Sequence, residues 1–162
     1  MPGLSKLSFD VPEMTAADAS AASARRGSIL FYFNGVLGNN AQLANYSFGL
    51  RQQLYTLFGG MERQGVVVTS VRSPRYDTEL ASSTFCGVLM GNGWAHIEEP
   101  VMQGCIPVLI MPGIHVQLEG VLNISAFSIR VDRHQIPQLI DILRSDLAVT
   151  DAPGNTLCMY GA

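Results

Sequence analysis

Residues 84–110 read TFCGVLMGNGWAHIEEPVMQGCIPVLI, and this run decides the fold. Residues 84–90 are apolar and uncharged. Gly91-Asn92-Gly93 breaks the run. Trp94, Ile97 and Val101 then follow at helical spacing. Gly104 stands where a helix ends on a left-handed residue. Residues 105–111 are again continuously apolar, the mark of a strand buried on both faces. Strand, glycine turn, short helix, strand is a βαβ unit, so its two strands are expected to be parallel neighbours.

That geometry admits two readings. Glycines at a strand's C-terminal end let backbone approach a ligand closely. The helix beyond them offers N–H groups to an anion, and Glu98 and Glu99 lie within reach of ribose hydroxyls, so a nucleotide fits. An ordinary βα turn with a solvated acidic face fits the same spacing, because Gly-x-Gly alone is a weak signal.

The residues Phe85-Cys86 and Gly104-Cys105-Ile106-Pro107-Val108, at the two ends of this unit, resemble the exostosin-like glycosyltransferase family. There a Phe-Cys strand leads through a glycine loop to a helix ending Gly-Cys-Ile-Pro-Val. Tyr76, Leu80 and Ser83 before the unit, and Leu118-Glu119, Val121-Leu122 and Phe127-Ser128-Ile129 after it, extend the resemblance to roughly residues 10–143. It implies the C-terminal, donor-binding half of a two-domain GT-B glycosyltransferase, a Rossmann-like three-layer α/β domain with a parallel sheet. It further implies a UDP-sugar donor, a glycan acceptor, no metal, no cofactor beyond the donor substrate, and a partner N-terminal domain. The Golgi or secretory lumen is the compartment implied.

The same resemblance nominates donor-binding residues. Gly35 follows Phe33-Asn34 at the mouth of the donor cleft, and Arg51 matches a basic position common in the family. Gly91 and Gly93 form the glycine loop, and Glu99 matches the acidic position expected on the donor ribose. His96 stands where family members commonly carry an arginine for the diphosphate; a neutral imidazole is a poorer clamp than a guanidinium. Pro112 replaces a frequent aspartate, whereas Glu119 matches. No catalytic base is assigned. A catalytically inactive exostosin-fold scaffold, or a fragment of a longer enzyme, is the alternative reading.

Composition bounds the class. At 162 residues, 48% hydrophobic and 14% charged, the chain suits one globular domain. A formal net charge of −3 gives no electrostatic case for nucleic acid. No apolar run reaches the ~18 residues of a membrane span, and the N-terminus lacks the charged head and apolar core of a signal peptide. The three cysteines have no metal-site spacing. Two of them, Cys86 and Cys105, start adjacent strands, within range of a disulfide if both side chains leave the same face; two buried thiols are the alternative, and Cys158 is left free. Asn45 and Asn123 head sequons. His115 and His134 read as ordinary loop and helix-start residues.

In order, residues 1–27 read as a linker or tail at a domain boundary, 28–148 as the nucleotide-sugar-binding domain, and 149–162 as a loose tail. Strands are expected at 28–33, 65–70, 84–90, 105–111 and 126–131. Helices are expected at 42–58, with Leu43, Tyr46, Leu50, Leu54, Leu57 and Phe58 inward, at 77–82 capped by Asp77, and at 133–147 capped by Asp132, with Ile136, Leu139, Ile140 and Leu143 inward. The alternation argues for a parallel sheet with helices on both faces.

Overall fold

The computed structural model describes residues 27–38, 46–91, 96–110, 113 and 115–150. Five strands form one sheet: β1 (Ile29–Asn34), β2 (Val66–Thr69), β3 (Ser83–Val88), β4 (Ile106–Leu109) and β5 (Ile129–Arg130). All pairings are parallel, in the order β2-β1-β3-β4-β5. This is a doubly wound Rossmann-like α/β fold. Its central strands are apolar on both faces because both are covered: Phe31, Tyr32 and Phe33 of β1 are all buried.

Alternation along each strand sorts the layers. Phe31, Phe33, Val66, Val68, Phe85 and Val108 turn to one face. There they meet Leu50, Leu54 and Phe58 of α1 (Leu50–Phe58) and Leu139, Ile140 and Leu143 of α4 (Leu139–Thr150). Tyr32, Cys86 and Cys105 turn to the other face with Leu80 of α2 (Tyr76–Ala81). On that side Val88 and Leu109 pack with Ile97, the residue preceding α3 (Glu98–Met102). Among the described residues no helix is long and apolar enough to cross a membrane.

Several expected boundaries are corrected. Of the helix expected over 42–58, residues 42–45, with Leu43, lie outside the described residues, and within the rest the α-helix begins at Leu50. Tyr46–Gly49 is a 3-10 turn in which Ser47 (φ 56°) and Phe48 (φ 53°) are left-handed, followed by Gly49 at φ 75°. Periodicity cannot register such a break, because the apolar side chains keep their spacing through it. Leu57, expected inward, is 42% exposed. Asp77 lies inside α2 rather than capping it, since Arg75 holds the cap position. The last strand shrinks to two residues because Ile124–Ala126 coils into a 3-10 turn. The helix expected from Arg133 starts as 3-10, Arg133–Gln138, and becomes α only at Leu139. Pro137 inside it has no N–H for an α-type bond. Asp132 stands at the N-cap, where its N–H donates to Gln135 Oε1 at 2.9 Å, and Ile136, Leu139, Ile140 and Leu143 are buried. The linker expected at 1–27 lies, but for Gly27, outside the described residues, as does the tail beyond 150.

Candidate functional site

Doubly wound sheets bind ligands beyond the carboxyl ends of their strands, where the winding reverses. Here the chain leaves β1 toward β2 on one side and returns as β3 on the other, so the reversal lies between β1 and β3. The residues leaving those strands are Gly35-Val36-Leu37 and Leu89-Met90-Gly91.

Arg51, in the first turn of α1, occupies that position. Its Nε donates to the Met90 carbonyl at 2.9 Å, Nη2 to Leu89 at 3.1 Å, and Nη1 to Val36 at 3.1 Å. The rings of Phe33 and Tyr46 lie 5.4 and 5.1 Å from the guanidinium carbon, within cation–π range. Burial lowers the pKa of the guanidinium from its ordinary value, and Tyr46 opposes that shift. The neighbouring Gln52 Nε2 donates to the Leu37 carbonyl. A Cβ at Gly35 would stand 3.0 Å from Arg51 Nη1, and one at Gly91 would stand 2.9 Å from the Tyr46 hydroxyl and 3.1 Å from Arg51 Nη2. A larger residue would crowd the arginine at both places, and with it the Phe33 ring at Gly35 and the Tyr46 hydroxyl at Gly91.

An open cleft of about 780 Å³ lies on the α2–α3 side of the strand ends. Asn34, Gly35, Arg72, Tyr76, Asp77 and Glu99 are among its lining residues. Asn34 Nδ2 donates to the Val71 carbonyl at 2.7 Å, tying the β1 exit to the β2 exit. Across the cleft the Tyr76 hydroxyl donates to Glu99 Oε2 at 2.8 Å. Burial, and then the bond to Glu99, pushes the Tyr76 phenol well above its ordinary pKa. Tyr32 behind it is raised the same way, by burial and then by its 2.8 Å bond to Glu79.

Of the residues nominated from sequence, Gly35 and Glu99 line this cleft. Arg51 and Gly91 stand beside it, joined by their packing. His96 is exposed ahead of α3. Gly93, Asn45 and Pro112 lie outside the described residues. Asn123 is exposed in the turn after Leu122. Glu98 separates from Glu99: its Oε2 is buried and accepts no hydrogen bond from the described residues. The α3 helix has only five residues, with Pro100 in its first turn, so its dipole is that of a single turn. Cys86 and Cys105 form a disulfide with Cα atoms 5.9 Å apart, closing the segment that carries the glycine loop and both glutamates. Glu119 lies in a separate loop, receiving the Val116 N–H at 2.8 Å, Arg130 Nη2 at 2.7 Å and His115 Nδ1 at 3.0 Å.

The sequence reading missed Arg72, the one basic side chain among the described residues that line the cleft. An isolated arginine in a polar loop carries no local signal. Only the parallel pairing of β1 and β2 brings the loop after β2 beside Gly35.

Residues 4–145 match the family described as Exostosin GT47 domain. A probable glucuronoxylan glucuronosyltransferase of Arabidopsis thaliana is 31% identical over 102 residues, covering 60% of this chain and 22% of the relative. A probable glucuronosyltransferase of Oryza sativa subsp. japonica is 30% identical over 126 residues, covering 73% of this chain and 28% of the relative. Another from the same organism is 28% identical over 143 residues, covering 84% and 32%. The chain thus spans less than a third of the length of these relatives.

Proposed function

The chain belongs to the exostosin GT47 family, and from that premise we propose that it forms the donor-binding half of a glycosyltransferase. The donor is a UDP-sugar; the plant relatives' names favour a glucuronosyl group. In the whole reaction an acceptor hydroxyl oxygen bonds to the anomeric carbon, the bond from that carbon to the UDP oxygen breaks, and the hydroxyl proton is released. An N-terminal partner half supplies the acceptor side. The observation that carries this reading is the polar cleft beside the winding reversal, with Glu99 and Arg72 on its walls.

In this reading Glu99 accepts from the ribose, exchanging its bond from Tyr76 for one from the ligand. Arg72 and His96 face the diphosphate, and backbone at Gly91 and Gly93 approaches it. The domain runs over residues 28–148, and no resident metal is required. An oxidising secretory compartment such as the Golgi lumen suits the Cys86–Cys105 bond.

Titration with UDP, followed by backbone amide shifts, tests the reading. Shifts are expected around Gly35, Arg72 and Glu99. Glu99→Ala should weaken binding by roughly 1–3 kcal/mol, toward the lower end because the group is exposed, and Glu98→Ala by less. The reverse order would move the ribose to Glu98, whose buried oxygen lacks a partner among the described residues. No shift at millimolar UDP would instead favour an inactive scaffold, a reading that draws on His96 in place of the family's arginine and on the Glu99 carboxylate already held by Tyr76.

A further inference from the structure

We propose that Arg51 is the positioning residue of the donor site: it locks the loops leaving β1 and β3 into one frame and turns their backbone N–H groups toward the ligand side. The inference rests on the donor reading but starts from Arg51, which is not among the cleft-lining residues.

In an extended strand successive carbonyls point to opposite sides. Leu89 and Met90 are successive residues, yet both carbonyls accept from the same guanidinium. The two peptide planes therefore face the same way. In a trans peptide the C=O and the following N–H are antiparallel, and no peptide among the described residues is cis. Hence the N–H groups of Met90 and Gly91 both point away from Arg51. The Val36 carbonyl, bound to Nη1, sets the Leu37 N–H away in the same manner. Successive N–H groups turned to one side make the concavity in which proteins hold anions. A fixed positive charge lies directly behind it.

The two glycines fit this role. Any Cβ at Gly35 or Gly91 would press on the guanidinium, and at Gly91 also on the Tyr46 hydroxyl. Phe33 and Tyr46 flank the guanidinium and hold it in place. No other side chain suits the place, because three carbonyls from two loops need a planar fork. A lysine ammonium carries the charge but not the fork.

The test compares wild type with Arg51→Lys, using UDP as ligand and backbone order parameters as a second readout. A rigid backbone gives values of about 0.85, and a mobile one less than about 0.6. In Arg51→Lys the order parameters of Leu37, Met90 and Gly91 should fall, and the UDP dissociation constant should rise about tenfold or more. Gly91→Ala should reproduce both changes. Leu54→Ala, a core deletion on the same helix, should lower global stability while leaving those three residues ordered and UDP affinity unchanged. Three ordered residues in Arg51→Lys would overturn the inference, whether or not UDP binds. Loosened loops with unchanged UDP affinity would overturn it as well, by separating the frame from the ligand. If wild type binds no UDP, the donor reading fails by itself, and the order parameters still decide whether Arg51 sets the frame.

Discussion

Glu119 shows how a single carboxylate ties a loop. The Val116 N–H holds its pKa below the usual carboxylate range, with Arg130 and His115 adding to the effect and desolvation opposing it. A carboxyl depressed in the fold binds its proton more weakly there than in the unfolded chain. Its stabilisation is therefore complete above the unfolded value, about 4.3, and fades as pH falls through the lower folded value. Glu119→Gln should lower the thermal midpoint at pH 7, and the gap from wild type should be smaller at an acid pH below the unfolded value. An equal gap at both pH values would show that the carboxylate's charge is not what holds the loop. The sequence marked Glu119 only through family resemblance; its partners come from the loop and from β5, and no local pattern foretells them. Arg51 was visible as a basic position, but its targets were not, since they lie 15 to 39 residues away. Arg72 was invisible for the same reason.

At the scale of the element, periodicity revealed strands and helices but not their ends. Apolar spacing ran smoothly through Ser47 and Phe48, where left-handed backbone ends the expected helix. It also ran through Pro137, where α geometry fails for want of an N–H. The β3–α3–β4 unit was legible because its glycines and its two apolar runs are local signals. Its disulfide was legible only as a possibility of reach. The register makes it feasible: Cys86 pairs with Pro107, and Cys105 lies just before β4 on the same covered face. The closed segment spans a separation of 19 residues, so the loop-entropy model assigns about 3 kcal/mol to the bond. Replacing both cysteines by serine should cost about that much, plus a contribution from two hydroxyls set in an apolar cluster. Replacing both by alanine isolates the bond. If chemical denaturation gives the same free energy for the double alanine variant and the oxidised chain, the bond adds nothing to stability. A Cys158 partner found by peptide mapping would exclude the pairing itself.

For the whole molecule, the parallel sheet and its winding follow from alternation and from continuous apolar strands, so the place of the cleft was implicit in the sequence. The surface around the cleft was not. Val36, Val71 and Met102 are 59%, 74% and 82% exposed. Val36 and Met102 line the cleft, and Val71 is the residue whose carbonyl Asn34 grips. Scattered exposed apolar residues are ordinary, but these gather on the edge where the donor reading needs a second half to close. The chain spans only 22% to 32% of the length of its relatives, which leaves ample chain for such a half. Val71→Asp and Met102→Asp should therefore change the stability of this chain by no more than about 0.5 kcal/mol, as surface substitutions do. UDP binding to this chain should be largely kept by Val71→Asp, which lies off the cleft lining, and weakened by Met102→Asp, which sets a carboxylate on the wall that faces the anionic ligand. In a protein joined to a relative's N-terminal portion the same substitutions should depress sugar transfer, by opening the closed arrangement on which transfer depends. Measuring UDP affinity, stability and transfer on the same variants separates the three effects. Transfer retained by both aspartate variants would mean that the second half closes over some other edge.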